Sequence, residues 1–333
     1  MQDRIVKFGI VGCGMIATVH AGALNEIENA KLYGVCDYNL EKAQEFAKEY
    51  NVMAYEDYES MLLDGEIDAV IICTPSLFHA KMAIKALNSG KHVIVEKPMA
   101  LDEESSNEIV KACEETGKKL TVISQLRLEE DVIKVKNLVK DGVFGKISLV
   151  RLSMKYVRMP EYYKSSSWRG TKKYDGGGAL MNQGIHGIDM LAYIMGDIKN
   201  VKGKIRTLVH DIEVEDTAVA LVEFECGALG TIEASTCAYP GFDRRIEIHG
   251  DKGYVYLKEN VIEELMIDKK QIEVEKKVHV TTSNDPKTTG IFMHKRQIVN
   301  FINAILGKEE LISNCHDGKR AVKVINDIYR FND

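Results

Sequence analysis

Four groups of residues in this chain have types and spacings that could do chemistry. Gly9-Ile10-Val11-Gly12-Cys13-Gly14-Met15-Ile16-Ala17 joins an apolar strand to a helix through a tight glycine turn. Gly12 can adopt the turn, Gly14 lets a diphosphate approach bare backbone, and Ala17 is small enough for helix-on-strand packing. The helix that opens at Met15 and Ile16 offers unpaired N–H groups and a positive dipole end to a pyrophosphate. Asp37 closes a second strand about 20 residues on, where a carboxylate can hold the adenosine ribose hydroxyls. A glycine trio alone is bland; with strand, helix and acid all in register, it predicts a nucleotide cofactor.

Three further segments matter. Cys73-Thr74-Pro75-Ser76-Leu77-Phe78-His79 follows the strand Ala69–Cys73 at its carboxyl end, where ligands of open parallel sheets bind. Thr74, Pro75, Ser76 and His79 are therefore expected at the cofactor, although the same residues make an ordinary Pro-initiated strand–helix turn. Val95-Glu96-Lys97-Pro98 ends the next strand and puts a glutamate and a lysine at the same edge, a place where lysines are usually just solvated. The third segment runs from Asp175 through a triple glycine to Asn182, Gln183, Gly184, His186 and Asp189. The glycines predict a flexible approach to a helix, which sets Asn182 and His186 four residues apart on one face. A lone helical histidine is as often a satisfied core residue as a proton carrier.

These segments need elements to carry them. Up to about Ser124, β-branched runs at Ile5–Val11, Lys31–Cys36, Ala69–Cys73, His92–Val95 and Leu120–Ile123 alternate with helical patterns such as Leu40–Tyr50, Leu77–Ser89 and Glu103–Thr116. This alternation predicts an α/β Rossmann domain, a doubly wound parallel sheet, over residues 1–124. After a helix over Glu129–Lys140, longer alternating strands appear at Ile147–Arg158, Val201–Val209, Thr217–Phe224, Ala228–Ser235, Arg244–His249 and Tyr254–Leu257. They predict a large open, mostly antiparallel sheet in an α+β domain over 125–333. One helix, Gly178–Met195, interrupts it, and helices at Phe292–Leu306 and Asp317–Tyr329, with Asp317 as N-cap, pack back towards the first domain. Val280–Gly290 is polar and reads as a mobile loop. A broad sheet covered by helices on one side must hide its other face, so a homo-oligomer, dimer or tetramer, is expected.

Composition narrows the classes. The 333 residues suffice for two cores, and a net charge of -6 offers no case for nucleic acid or an anionic membrane. No apolar run approaches the roughly 20 residues of a membrane span, and the N-terminus leads straight into a strand with no room for a signal peptide. Seven cysteines without a C-x-x-C pair speak against a disulfide framework and a zinc site. His, Cys and carboxylates do not cluster at ligand spacing, so no metal is expected. The expected location is cytoplasmic.

GIVGCGMIA, CTPSLFHA, VEKPMAL, WRGTKKYDGGGALMNQGIHGIDML and AYPGFDRRIEIHGDKG together make the chain resemble the Gfo/Idh/MocA family, named for glucose–fructose oxidoreductase, inositol dehydrogenase and a rhizopine catabolism protein. The resemblance covers essentially the whole chain. It implies oxidation or reduction of a sugar, sugar derivative or polyol at a secondary alcohol, with a nicotinamide cofactor. Carried over by position, Lys97 is the family's catalytic lysine and His186 its catalytic histidine. The Lys97–Pro98 bond resembles a family turn in which it is cis. Glu96 is expected to face the nicotinamide ribose or carboxamide. Asp37 followed by Tyr38, with no Arg or Ser to meet a 2′-phosphate, fits NAD rather than NADP.

Asn182 falls where inositol dehydrogenases have an aspartate. An amide cannot accept a proton in a relay, though it can still hydrogen-bond a substrate hydroxyl. The M-N-Q-G-I-H form looks more like the sugar-nucleotide 3-dehydrogenases, which implies the 3-hydroxyl of a UDP-linked N-acetyl amino sugar or its uronate as substrate. The alternatives are an inositol, free-sugar or polyol dehydrogenase, and, in another class, a non-catalytic dinucleotide-binding regulatory protein. Moving a hydride off a C–H requires the hydroxyl to lose its proton, so a base titrating near the operating pH is needed. His186 is assigned as acceptor and Lys97 as the donor polarising the oxygen; the reverse assignment stays open. The family's substrate region holds Arg127, Tyr156, Trp168, Arg169, Lys172 and Tyr174. Arg169, Lys172, Arg244 and Arg245 could anchor a diphosphate.

Overall fold

The computed structural model describes residues 4–275 and 290–331. The expected loop at Val280–Gly290 lies, apart from Gly290, outside the described residues. The chain forms two compact units, one of Met1–Gln125 with Gly290–Lys319 and the other of Leu126–Thr289 with Arg320–Asp333. A single division at 124/125 therefore understates the path, which changes unit again at 290 and 320.

The first unit contains β1 (Val6–Val11), α1 (Met15–Asn25), β2 (Ala30–Cys36), α2 (Leu40–Tyr50), β3 (Met53–Tyr55), α3 (Tyr58–Leu63), β4 (Ala69–Ile72), α4 (His79–Asn88), β5 (His92–Val95), α5 (Glu103–Thr116) and β6 (Leu120–Val122). Its strands lie in the order β3-β2-β1-β4-β5-β6. Every neighbouring pair is parallel. The order reverses between β1 and β4, and the crevice outside their carboxyl ends is where such sheets take a ligand. Local chemistry sets the helix starts. The side chains of Asn39, Asp57 and Asp102 accept the N–H groups of Lys42, Ser60 and Ser105, each satisfying a donor the helix itself leaves open. Strands β1 and β4 are buried on both faces, and their apolar side chains fall into two cores on opposite sides of the sheet.

The second unit holds α6 (Glu130–Lys140), β7 (Ile147–Lys155), α7 (Pro160–Lys164), α8 (Ile185–Met195), β8 (Ile198–Arg206), β9 (Thr217–Phe224), β10 (Leu229–Ser235), β11 (Arg245–Gly250), β12 (Gly253–Lys258), β13 (Val261–Ile267) and β14 (Lys270–Gln271). Its eight strands run β14-β13-β12-β11-β7-β10-β9-β8. All pairs are antiparallel except β7 with β10. One face of this sheet packs on α6 and α8 in a single apolar core. The other leaves Leu149, Val219, Leu221 and Leu229 at least half exposed.

The chain closes with α9 (Ile291–Ile305) and α10 (Cys315–Arg330). α9 places Ile298, Phe301 and Ile302 in one core with Phe8 and Ile10 of β1. The N-cap of α10 is Asn314 rather than Asp317. Asn314 Oδ1 accepts the N–H groups of His316 and Asp317, and the Asp317 carboxylate reaches back to the Asn314 N–H, a reciprocal capping box. Among the described residues no helix is long and apolar enough to cross a membrane.

Candidate functional site

The glycine turn after β1 is built for close approach. Gly12 has φ +91°, and a Cβ there would lie 2.8 Å from the Cys73 carbonyl carbon and oxygen, so no other residue fits between the ends of β1 and β4. Gly14 is the N-cap of α1, with nothing within 4 Å of where a Cβ would stand. No side chain caps α1, so its first N–H groups remain for a ligand. Met15 is exposed and Ile16 half-buried at that mouth. Asp37 does more than border the turn. Its Oδ2 accepts the Cys13 N–H at 2.8 Å and its Oδ1 accepts the Asn39 N–H at 3.0 Å, bracing the glycine loop from the end of β2. Tyr38 beside it is fully exposed. A bare cradle, an open helix N-terminus and an adjacent carboxylate fit the diphosphate and ribose of a dinucleotide.

The turn after β5 is held from both sides. Lys97–Pro98 is cis, and Lys97 is half-buried. The Glu96 carboxylate, expected at the nicotinamide, is engaged by the protein. Oε1 lies 2.8 Å from His20 Nε2 of α1 and 3.9 Å from His294 Nε2 of α9, while Oε2 accepts the Lys97 N–H at 3.3 Å. Burial pushes the Glu96 carboxyl up, but the hydrogen bond and charge of His20, with His294 and Lys97, hold it down at about 2. His79, also expected at the cofactor, is buried at 1% exposure, with Nδ1 2.7 Å from the Pro98 carbonyl oxygen and Nε2 2.7 Å from that of Thr74. Its ring thus ties the loop after β4 to the turn after β5. Thr74 and Pro75 are half-buried and Ser76 buried in that loop. Sequence spacing does not link His20 or His294 to Glu96; folding brings them together.

The cluster has a consequence for acid stability. Burial and the neighbouring His20 push His294 down to about 4, so it resists charging in the fold. The unfolded chain takes up that proton first, so stability falls as pH drops from about 6.5 to 4. Glu96, held near 2, adds a second loss between about 4.5 and 2. A pH series of thermal melts should show both windows, and His294→Gln should shrink the upper one, to which His79 and His92, also held down by burial, contribute as well. An unchanged upper window in that variant would contradict the assignment.

In the second unit, residues 179–184 form a widened π turn and His186 sits in the first turn of α8, half-buried. Asn182 and His186 therefore do not share one regular helix face as the spacing predicted. Such π turns are frequent at functional sites. The Asn182 amide donates to Asp175, and its oxygen accepts from Gln183 at 2.8 Å. Gln183 in turn accepts from Arg158 and donates to the Tyr162 hydroxyl. The triple glycine provides room, not flexibility. A Cβ on Gly177 would run into the Tyr329 hydroxyl, and one on Gly178 into the Glu215 carbonyl. The buried Glu215 carboxylate accepts the Gly178 N–H at 3.0 Å, the Leu180 N–H at 2.8 Å and the Tyr329 hydroxyl at 2.9 Å, fastening the start of the helix. Its role had no local sequence signal, because its partners lie 35 and more residues away.

Three residues expected at the substrate are buried and engaged within the protein. Arg127 is 2% exposed and pairs with Asp189 through two hydrogen bonds, at 2.9 and 2.6 Å. Tyr156 is 4% exposed within the apolar core. Arg244, an expected diphosphate anchor, is buried against Glu259 at 3.0 Å and Asn260 at 2.6 Å. Trp168, Arg169 and Tyr174 are half-buried, with the Arg169 guanidinium stacked 4.3 Å over Tyr162 and 4.9 Å over Trp168. Lys172 and Arg245 are exposed. Folding also assembles two groups of metal-ligand type that no local spacing announces, His20–Glu96–His294 and His210–Asp216–Cys237. In the second, Asp216 already accepts the N–H groups of Leu208, Val209 and His210, which makes it a loop clasp.

Residues 6–124 match the oxidoreductase family with an NAD-binding Rossmann fold, and residues 132–256 match the GFO/IDH/MocA C-terminal domain. The chain belongs to the GFO/IDH/MocA oxidoreductase family. As a member it is an NAD-dependent dehydrogenase. It is similar to the WlbA dehydrogenase of Bordetella pertussis, solved with NADH and UDP-GlcNAcA, at 33% identity over 99% of this chain and 97% of that one, TM-score 0.88. The WlbA protein of Chromobacterium violaceum, solved with the same two ligands, is 30% identical over 100% of this chain and 95% of that one, TM-score 0.88. Myo-inositol 2-dehydrogenase of Thermotoga maritima is 30% identical over 260 residues, 75% of each chain. The GFO/IDH/MocA assignment agrees with both sheets described above.

Proposed function

We propose that the protein moves a hydride between NAD and a secondary alcohol of a sugar, the 3-hydroxyl of a UDP-linked N-acetyl amino sugar or its uronate. The observation that carries this reading is end-to-end similarity to two structures holding NADH with UDP-GlcNAcA. The inositol dehydrogenases of Thermotoga maritima and Bacillus subtilis align over about three-quarters of the chain. The polyol reading rests on them.

Gly12, Gly14 and the N-terminus of α1 would hold the dinucleotide, with Asp37 for the adenosine ribose. When bound, NAD supplies the hydride acceptor. His186 takes the proton of the substrate hydroxyl as its C–H bond breaks, and the Lys97 ammonium donates a hydrogen bond to the same oxygen. The carbonyl product leaves with the proton on His186; in reduction the same groups act in reverse. Asn182 holds a hydroxyl in place but takes no proton. Arg169 and the exposed Lys172 and Arg245 are the cations proposed for a substrate diphosphate. The exposed Leu149, Val219, Leu221 and Leu229 make the outer sheet face the proposed contact in a homo-oligomer, which a monomeric mass by light scattering would exclude.

The test is a panel of UDP-sugars, inositols and free sugars, each incubated with NAD while absorbance of the reduced cofactor is followed. Turnover is expected with a UDP-N-acetyl amino sugar or its uronate. Turnover with inositols alone would select the polyol reading, and tighter calorimetric binding of NADP than NAD would remove Asp37 from its ribose role.

A further inference from the structure

We propose that His20 and His79, backed by His294, are positioning residues that grip the Glu96-Lys97-Pro98 turn on either side of its lysine. The inference rests on the reading of Lys97 as a proton-handling group and extends it to buried residues that act through the backbone on either side of it. On one side, His20 Nε2 of α1 meets Glu96 Oε1 at 2.8 Å, and Glu96 Oε2 takes the Lys97 N–H at 3.3 Å. On the other, His79 Nδ1 meets the carbonyl oxygen of Pro98 at 2.7 Å. His294 stands edge-on to His20, ring centroids 5.2 Å apart, and closes the pocket around the carboxylate. His20, His79 and His294 are each at most 1% exposed, so water cannot substitute for a lost partner.

Two features favour a grip over other roles for these rings. Atoms sharing a zinc ion sit about 2.0–2.2 Å from it and so more than about 3 Å from each other, whereas 2.8 Å is hydrogen-bond spacing. One contact each of His20 and His79 also falls on a residue flanking Lys97, Glu96 on one side and Pro98 on the other. A lysine leaving a short turn at a strand end has four rotatable side-chain bonds, so fixing its backbone is the available way to aim it. The other nitrogen of His79 lies 2.7 Å from the Thr74 carbonyl oxygen; both carbonyls only accept, so the neutral ring donates to one of them, and the grip uses the Nδ1–H tautomer that donates to Pro98.

Paired variants separate the grip from general packing. Asn at 79 places its amide nitrogen near the former Nδ1, and Gln places it near the former Nε2. His79→Asn therefore keeps the bond to Pro98, and His79→Gln keeps only the bond to Thr74. His20→Gln keeps the donor to Glu96, and His20→Leu loses it. With a substrate on which the unaltered protein turns over, His79→Gln and His20→Leu should lose about tenfold or more in kcat, the scale of a displaced reacting group. KM and the calorimetric Kd for NAD should stay within about twofold, the mark of an interaction made in the transition state. His79→Asn and His20→Gln should recover most of the loss. Undiminished kcat in His79→Gln and His20→Leu would overturn the proposal. So would equal losses within each pair that track the melting temperature. A second readout needs no turnover. In the full chain carrying 15N only in lysine, the Lys97 amide signal, assigned by its loss in Lys97→Arg, should move in His20→Leu; an unmoved signal also overturns the grip. If the unaltered protein turns over nothing in the panel, the proposed function fails, and the amide signal still decides the grip.

Discussion

Lys97→Ala and His186→Ala should each cut turnover by about 100-fold or more, while NAD binding by calorimetry stays near that of the unaltered protein. Lys97 extends from the turn after β5, and His186 sits in the first turn of α8; neither takes part in the glycine turn proposed for the diphosphate. Removing either should therefore leave the cofactor seated and remove a proton donor or acceptor at the alcohol. An imidazole changes charge near neutrality, so losing a histidine base should also flatten the rise of kcat/KM with pH. Preserved turnover in His186→Ala would move the base role to Lys97. Preserved turnover in both variants would end the acid–base reading of these residues.

Arg127→Met should lower stability by about 3–5 kcal/mol, the cost of stranding a buried charge. Arg127 is 2% exposed, and both of its hydrogen bonds to Asp189 reach a carboxylate that is itself 5% exposed. Without the guanidinium, Asp189 has to be buried uncompensated or take up a proton. Urea unfolding should show the loss as a lowered midpoint at unchanged slope. In the double variant Arg127→Met/Asp189→Leu most of the loss should return, because an apolar pair of similar volume replaces two buried ions at little net cost. A raised substrate KM with intact stability in Arg127→Met would instead reinstate Arg127 as a substrate contact.

Much of the first unit was legible. α2 and α5 run over the predicted Leu40–Tyr50 and Glu103–Thr116, because amphipathic spacing is a local signal. The cis bond at Lys97–Pro98 also follows the expected pattern. β3 escaped because it is three residues long, two of them exposed, and β13 because VIEELMI breaks the alternation of a half-buried strand. The burial of Arg127, Tyr156 and Arg244, which spacing did not announce, has one cause. Whether an arginine or tyrosine faces substrate or core depends on partners such as Asp189, which lies 62 residues from Arg127. His20 carried a readable hint, since it falls with Ala17, Ala21 and Leu24 on the buried stripe of α1. Its partner Glu96 did not, because strand ends and helix faces meet only in the folded sheet.

The return of α9 to β1 bears on how the protein is made. The Phe301 ring lies tilted to that of Phe8, centroids 6.4 Å apart, and Ile298 and Ile302 share its core, so residues near 300 roof a sheet whose first strand begins at residue 6. A ribosome delivers the chain at about 5–20 residues per second, so that sheet spends on the order of 15 to 60 seconds without its last covering helix. Through that interval an apolar face waits exposed for a segment not yet synthesised. Chain termination anywhere before α9 leaves the nucleotide-binding half uncovered, however complete its own strands.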